Sequence, residues 1–151
     1  MKMTINEVMI RHNFINKILF KDDTSSLDKD LKVKIMSMRI EYGKIRKSLE
    51  EDLKEFVNSL TTDDMKVLAS KPDKTPEEIN QIQSWNNQIK DEYNTYISKR
   101  GREEVNIIND TFTEDEYNQI VKVNTENDVE INGTHLNAPD FLEVIYNLFV
   151  A

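Results

Sequence analysis

One line of apolar side chains constrains this chain more than any other feature. From Leu31 the series Leu31, Ile35, Met38, Tyr42, Ile45, Leu49, Leu53, Phe56 and Leu60 advances in steps of three and four residues. That spacing keeps every member on one side of an α-helix. The steps alternate except at Leu49 to Leu53, where a four follows a four, a stutter that locally unwinds a coiled-coil seam. Residues 28–60 as a single helix span about 50 Å at 1.5 Å per residue. Asp28/Lys32, Asp30/Lys34 and Glu50/Lys54 are placed for i,i+4 pairs on its outer side. One such stripe cannot be buried alone, so a second helix has to cover it.

The run beginning at Thr75 is the expected partner. Ile79, Ile82, Ile89, Tyr93 and Tyr96 follow the same steps, with Asn86 at one seam position. The intervening TTDDMKVLASKPDKT allows a short helical turn around Met65 and Leu68 and then a loop, which predicts an antiparallel helical hairpin. Asn86 either sets the register of the seam or lies off a seam that ends sooner, the second being favoured. Trp85, beside the stripe, reads as a core residue or, more sharply, as an exposed interface anchor. Upstream, Ile5, Val8, Met9, Ile15, Ile18 and Leu19 form a shorter amphipathic helix with KDDTSS (21–26) as its exit loop. Ile10 and Phe14 widen its apolar face, so it either wedges between the hairpin and the C-terminal region or touches another subunit.

After Gly101 the pattern changes. Val105, Ile107 and Ile108 suit a short strand, Thr113 to Val123 a helix, and 128–136 a β-hairpin turning at Asn132-Gly133. A last helix follows Asn137, with Phe141, Leu142, Ile145, Leu148 and Phe149 on its apolar side. Helix starts are well marked: Thr4 with Glu7, Thr75 with Glu78 and Thr113 with Glu116 are capping boxes, and Asn137 with Asp140 is a shorter version. Pro76 sits where a missing N–H costs nothing. Phe112 with Tyr117, and Leu136 with Phe141, occupy the positions of a hydrophobic staple. The predicted fold is mainly α: a long, coiled-coil-like antiparallel helical hairpin with an N-terminal helix (1–102) and a small α+β module containing a β-hairpin (103–151) docked on it.

Charge divides along the same boundary. The chain has a net charge of −8, yet residues 1–102 hold 19 cations against 17 acids, whereas 103–151 hold 11 acids and the single cation Lys122. An acidic end repels phosphates and favours basic partners. It also serves simply to keep a small module soluble.

Chemistry is sparse. There is no Cys, so no thiolate ligand or nucleophile, and three glycines leave no room for a phosphate-cradling loop. His12 and His135 are isolated, and no Gly-x-Ser-x-Gly elbow occurs. Adjacent carboxylates such as Asp63/Asp64 and Glu103/Glu104 point apart on a helix and build no acid/base pair. Asp128-x-Glu130-x-Asn132-Gly133 mimics half an EF-hand loop, but Pro139 replaces the closing glutamate, and Val129 and Ile131 alternate as in a strand. Lys99, Arg100 and Arg102 form only a small basic spot. No apolar run approaches a membrane span, and Glu7, Arg11 and His12 interrupt a secretory signal. The expectation is no enzyme, no metal or other cofactor, and no nucleic-acid or membrane partner.

The segments REEVNIINDTFTEDEYNQIVKVN and DVEINGTHLNAPDFLEVIYNLFVA, on top of the hairpin pattern, resemble small uncharacterised helical proteins of tailed bacteriophages, those of crAss-like phages in particular. The likeness extends over residues 30–151 and consists of apolar and acidic patterns without a catalytic signature. It implies a phage protein made in the bacterial host cytoplasm and assembled into the virion. The expected role is structural: contacts with portal, neck or tail proteins, or with copies of itself, through Ile10, Phe14, Trp85, Tyr146 and Phe149. The alternative is an acidic protein that binds and inhibits a basic host protein through Glu114, Asp115 and Glu116.

Overall fold

The stripe that starts at Leu31 lies along one unbroken helix, α2 (Lys29–Leu60). In the computed structural model, which describes residues 1–150, it is preceded by β1 (Lys2–Thr4) and α1 (Ile5–Ile15). After it come α3 (Asp63–Ser70), α4 (Pro76–Gly101) and β2 (Glu104–Asn106). The chain ends with α5 (Glu114–Val123), the hairpin β3 (Val129–Ile131) and β4 (Thr134–Leu136), and α6 (Ala138–Phe149). The fold is mainly α, with two long helices and two small antiparallel sheets, β1 with β2 and β3 with β4. Thr4, Thr75 and Thr113 close full capping boxes, while Asn137 accepts only the Asp140 amide. Thr62 adds a start that the sequence pattern did not mark, because its N3 residue is Met65 and the return contact comes from sulfur.

Two compact units result, and they do not follow the expected boundary at 102. Met1–Arg46 joins the segment from Glu104 onward in one unit, and Lys47–Glu103 forms the other. The N-terminal helix therefore belongs with the C-terminal region, and α2 contributes its first half to one unit and its second half to the other.

The first unit holds the core. Leu31, Ile35, Met38 and Tyr42 are fully buried among Val8, Ile15, Ile107, Phe112, Ile120, Phe141, Ile145 and Phe149. The four staple side chains all belong to this cluster or pack against it. α1 runs antiparallel to α2: Arg39 donates to the carbonyls of Ile15 and Ile18, and one turn-pair further along Arg46 donates to Met9 O and His12 Nδ1. Of these acceptors Ile15 O lies in the last turn of α1, so the Arg39 guanidinium satisfies a carbonyl at that helix's negative end. Its other side meets α6 through Phe14 stacked on Phe141, with ring centroids 6.2 Å apart. Within this unit α1 thus packs against both the first half of α2 and α6.

α1 stops at Ile15, short of the Leu19 that the apolar spacing suggested. The cause is Asn124, fully buried, whose Oδ1 accepts from Leu19 N and whose Nδ2 donates to Leu19 O and Ile120 O. An amide that satisfies both backbone groups of Leu19 holds that residue outside the helix. β1 was also unforeseen: Met3 pairs with Val105 across the sheet, a partner a hundred residues away. None of the three expected i,i+4 ion pairs closes among the described residues; Lys34 instead reaches Glu116, 2.8 Å away.

In the second unit, α2 and α4 form the antiparallel pair. Phe56 stacks on Tyr96 with centroids 4.2 Å apart, and one turn back along α2 and forward along α4 Asp52 meets Arg100 at 2.7 Å. The seam on α4 passes through Ile82, Trp85, Ile89, Tyr93 and Tyr96, all half-buried, while Asn86 and Ile79 are exposed. Trp85 takes the seam position in place of Asn86. Leu49 and Leu53 are the buried apolar residues of this unit, as expected where two helices exclude water from one side each.

Asn124→Ala leaves both backbone groups of Leu19 without partners, an expected loss of about 3 kcal/mol in chemical denaturation. Gly43→Ala should raise stability by about 0.5–1 kcal/mol, since the added Cβ meets only His12 Nε2, at an ordinary 3.5 Å. Urea unfolding of the two variants checks both signs.

Candidate interaction surface

The first half of α2 is apolar on two opposite sides. At 3.6 residues per turn, Val33, Met36 and Ile40 project about 180° from the Leu31–Tyr42 core line. They stand 55%, 51% and 56% exposed. Their spacing, three then four, repeats steps of the buried line, so α2 carries a second stripe with nothing over it among the described residues. Single exposed apolar residues are ordinary, but a contiguous line is a mark of an interaction site.

Beside this stripe the loop after β2 raises a wall. Ile40 and Ile45 form the floor of a shallow groove, and Asn106, Ile108 and Asn109 its side. Ile107 points into the core, which turns Ile108 outward to 85% exposure. The wall is braced: the Glu41 carboxylate accepts from the amides of Ile108 (2.9 Å) and Asn109 (3.3 Å), and Tyr42 donates its hydroxyl to Asn109 O at 2.9 Å. Burial pushes the Tyr42 hydroxyl above its ordinary pKa, so it remains a neutral donor.

The residues singled out from the sequence fall elsewhere and do not form one surface. Phe149 is fully buried, tilted against Phe112 at 5.3 Å and lying under the Arg11 guanidinium, so it is a core residue and not a contact to a partner. Phe14 is half-buried against Phe141 and is likewise used inside the unit. Trp85 lies in the α2–α4 seam. Tyr146 packs edge-on to Tyr117 at 5.1 Å and donates its hydroxyl to Glu114. Ile10 and Asp115 are exposed. Val33, Met36, Ile40 and Ile108 were missed. The first three are visible in the sequence as spacing, but one apolar line already accounts for the burial of a helix, so the pattern alone does not single out a second.

Glu116 is engaged as well. Burial raises its pKa, but the Lys34 ammonium and the Thr113 amide outweigh that and hold it below the ordinary carboxylate range. Asp128, first residue of the calcium-like stretch, accepts the Ala138 amide at the start of α6. Asn132 (φ 52°) and Gly133 (φ 79°) make the tight hairpin turn that Asn-Gly favours. No group of three or more potential metal ligands occurs among the described residues, and none of their helices is long and apolar enough to cross a membrane.

No family model, curated protein or solved structure matches this chain.

Because the folded pKa of Glu116 is depressed, its contribution is complete above the unfolded value of about 4.3 and is lost as pH falls through the folded value. Glu116→Gln should therefore lower stability at neutral pH, and the difference from the parent chain should shrink as pH falls below the unfolded value and vanish below the folded one, measured by denaturation across pH. The two sides of α2 should respond in opposite ways to a carboxylate. Met36→Asp and Ile40→Asp are expected to change unfolding free energy by less than about 0.5 kcal/mol. Ile35→Asp and Met38→Asp bury an unpaired charge and should cost about 4 kcal/mol or more.

Proposed function

We propose that this chain is a non-enzymatic structural or assembly protein of a tailed bacteriophage, a virion component that meets portal, neck or tail proteins through its helical surfaces. The observation that carries the reading is the second apolar stripe of α2, exposed opposite the core. Tailed-phage origin rests on the likeness of the segments at 102–124 and 128–151, and with it the expectation of synthesis in the host cytoplasm before assembly.

The use made of interior polar groups supports the same reading. Arg11, Arg39, Tyr42, Arg46 and Asn124 all donate to backbone carbonyls, so these groups hold segments together. The alternative, an acidic protein that covers a basic host protein, has less behind it. Glu114 and Glu116 are each bound within the chain, to Tyr146 and Lys34, which leaves Asp115 as the one exposed acid of that trio without such a bond.

Mass spectrometry of purified particles, with cross-linking, tests the proposal. The expected result is the chain present at stoichiometric level and cross-linked to a portal, neck or tail protein. A monodisperse monomer by light scattering that is missing from the particles sinks it.

A further inference from the structure

We propose that the outward groove of α2 receives one amphipathic helix of a different protein, with carboxylates flanking its apolar line. This rests on the reading of the chain as a contact protein and adds the chemistry of what it contacts. Val33, Met36 and Ile40 offer anchors over two helical turns, about 10 Å, the length over which a docked helix presents its own i, i+3 and i+7 side chains. Ile108, held out by the Glu41 brace, makes the Ile40 end of the site concave. A concave strip fits a helix better than a flat bilayer surface.

Charge selects the partner. Lys29 and Lys44 are exposed on this face and Lys32 is half-buried at its edge; none of the three is in an ion pair among the described residues. Glu41, the acid of the groove, is already taken by two amides. One exposed acid, Asp30, lies beside Lys29, against the three lysines, so on a chain of net charge −8 the face is still locally positive and its complement is acidic. A second copy of this chain is a poor complement. A two-fold, antiparallel pairing that sets Val33 against Ile40 also sets Lys29 against Lys44, and a parallel one sets each lysine against itself. Like charges facing each other across an interface oppose both.

The test is selection from a displayed library of helical peptides on the immobilised full chain. Sequences with apolar residues at i, i+3 and i+7 flanked by Asp or Glu should be enriched. The best peptide should lose about tenfold or more in affinity for Ile40→Asp, and for Ile40→Ser if the aspartate variant fails to fold. The double variant Lys29→Glu with Lys44→Glu should weaken it, and exchanging the peptide's acids for lysines should restore binding. Enrichment of basic sequences, no enrichment, or equal affinity for the Ile40 variants overturns the proposal. So does an Ile40-dependent dimer in sedimentation, or Ile40-dependent binding to vesicles of anionic lipid. If the chain is absent from particles while the selection succeeds, the virion reading alone fails; if it is present and the selection fails, only this groove is refuted.

Discussion

The first half of α2 carries an apolar line that the neighbouring segment of sequence, α1, covers only in part. Leu31, Ile35, Met38 and Tyr42 together remove a large apolar area from water, at roughly 1.5–3 kcal/mol for each fully buried side chain before chain entropy is set against it. The cover comes from both ends of the molecule. α1 is tied down by Arg39 and Arg46 of α2 itself, and α6 supplies Phe141, Ile145 and Phe149. Closing so long a stretch between them costs only slightly more than closing a short one, because loop entropy grows with the logarithm of length. The polar bonds that join the ends, Asn124 to Leu19 and Arg11 to Asp110 O, lie around this core and depend on it for their exclusion from water.

The division of charge gains a different meaning from this arrangement. The first 46 residues hold ten cations against six acids, and the segment from Glu104 onward ten acids against Lys122. These oppositely charged stretches are the two parts of one unit. Lys34 meets Glu116, and the N-terminal ammonium lies 3.6 Å from Asp110. Two of those ten acids are thus answered by cations of the same unit. Pairs this close to solvent contribute modestly each, but they favour this pairing of segments over others.

How much was legible depended on the range of the interaction responsible. The capping boxes at Thr4, Thr75 and Thr113, the Asn132-Gly133 turn, the unbroken helix from Lys29 to Leu60 and the antiparallel α2–α4 pair were all readable, because each is decided within a few residues or by simple periodicity. The early end of α1 was not, since Asn124 enforces it from over a hundred residues away. β1 was invisible for the same reason, three residues being too few to show a pattern. Trp85 and Asn86 differ by one step on a helix face, and the register that chose between them comes from α2. Phe149 and Phe14 read as surplus apolar surface until the core was seen to need them.

By itself, the sequence determined the helices, their starts and the tight turn, because those are set by hydrogen bonds and side-chain contacts spanning at most a turn or two. It also contained both apolar lines of α2 as spacing. Which of those lines would be buried was decided only by tertiary structure. A helix apolar on two opposite sides has no local preference between them, and the choice followed from where Arg39 and Arg46 draw α1 and where the braced loop at Ile108 lies. The core took Leu31, Ile35, Met38 and Tyr42, and Val33, Met36 and Ile40 were left facing water because no other segment among the described residues covers them.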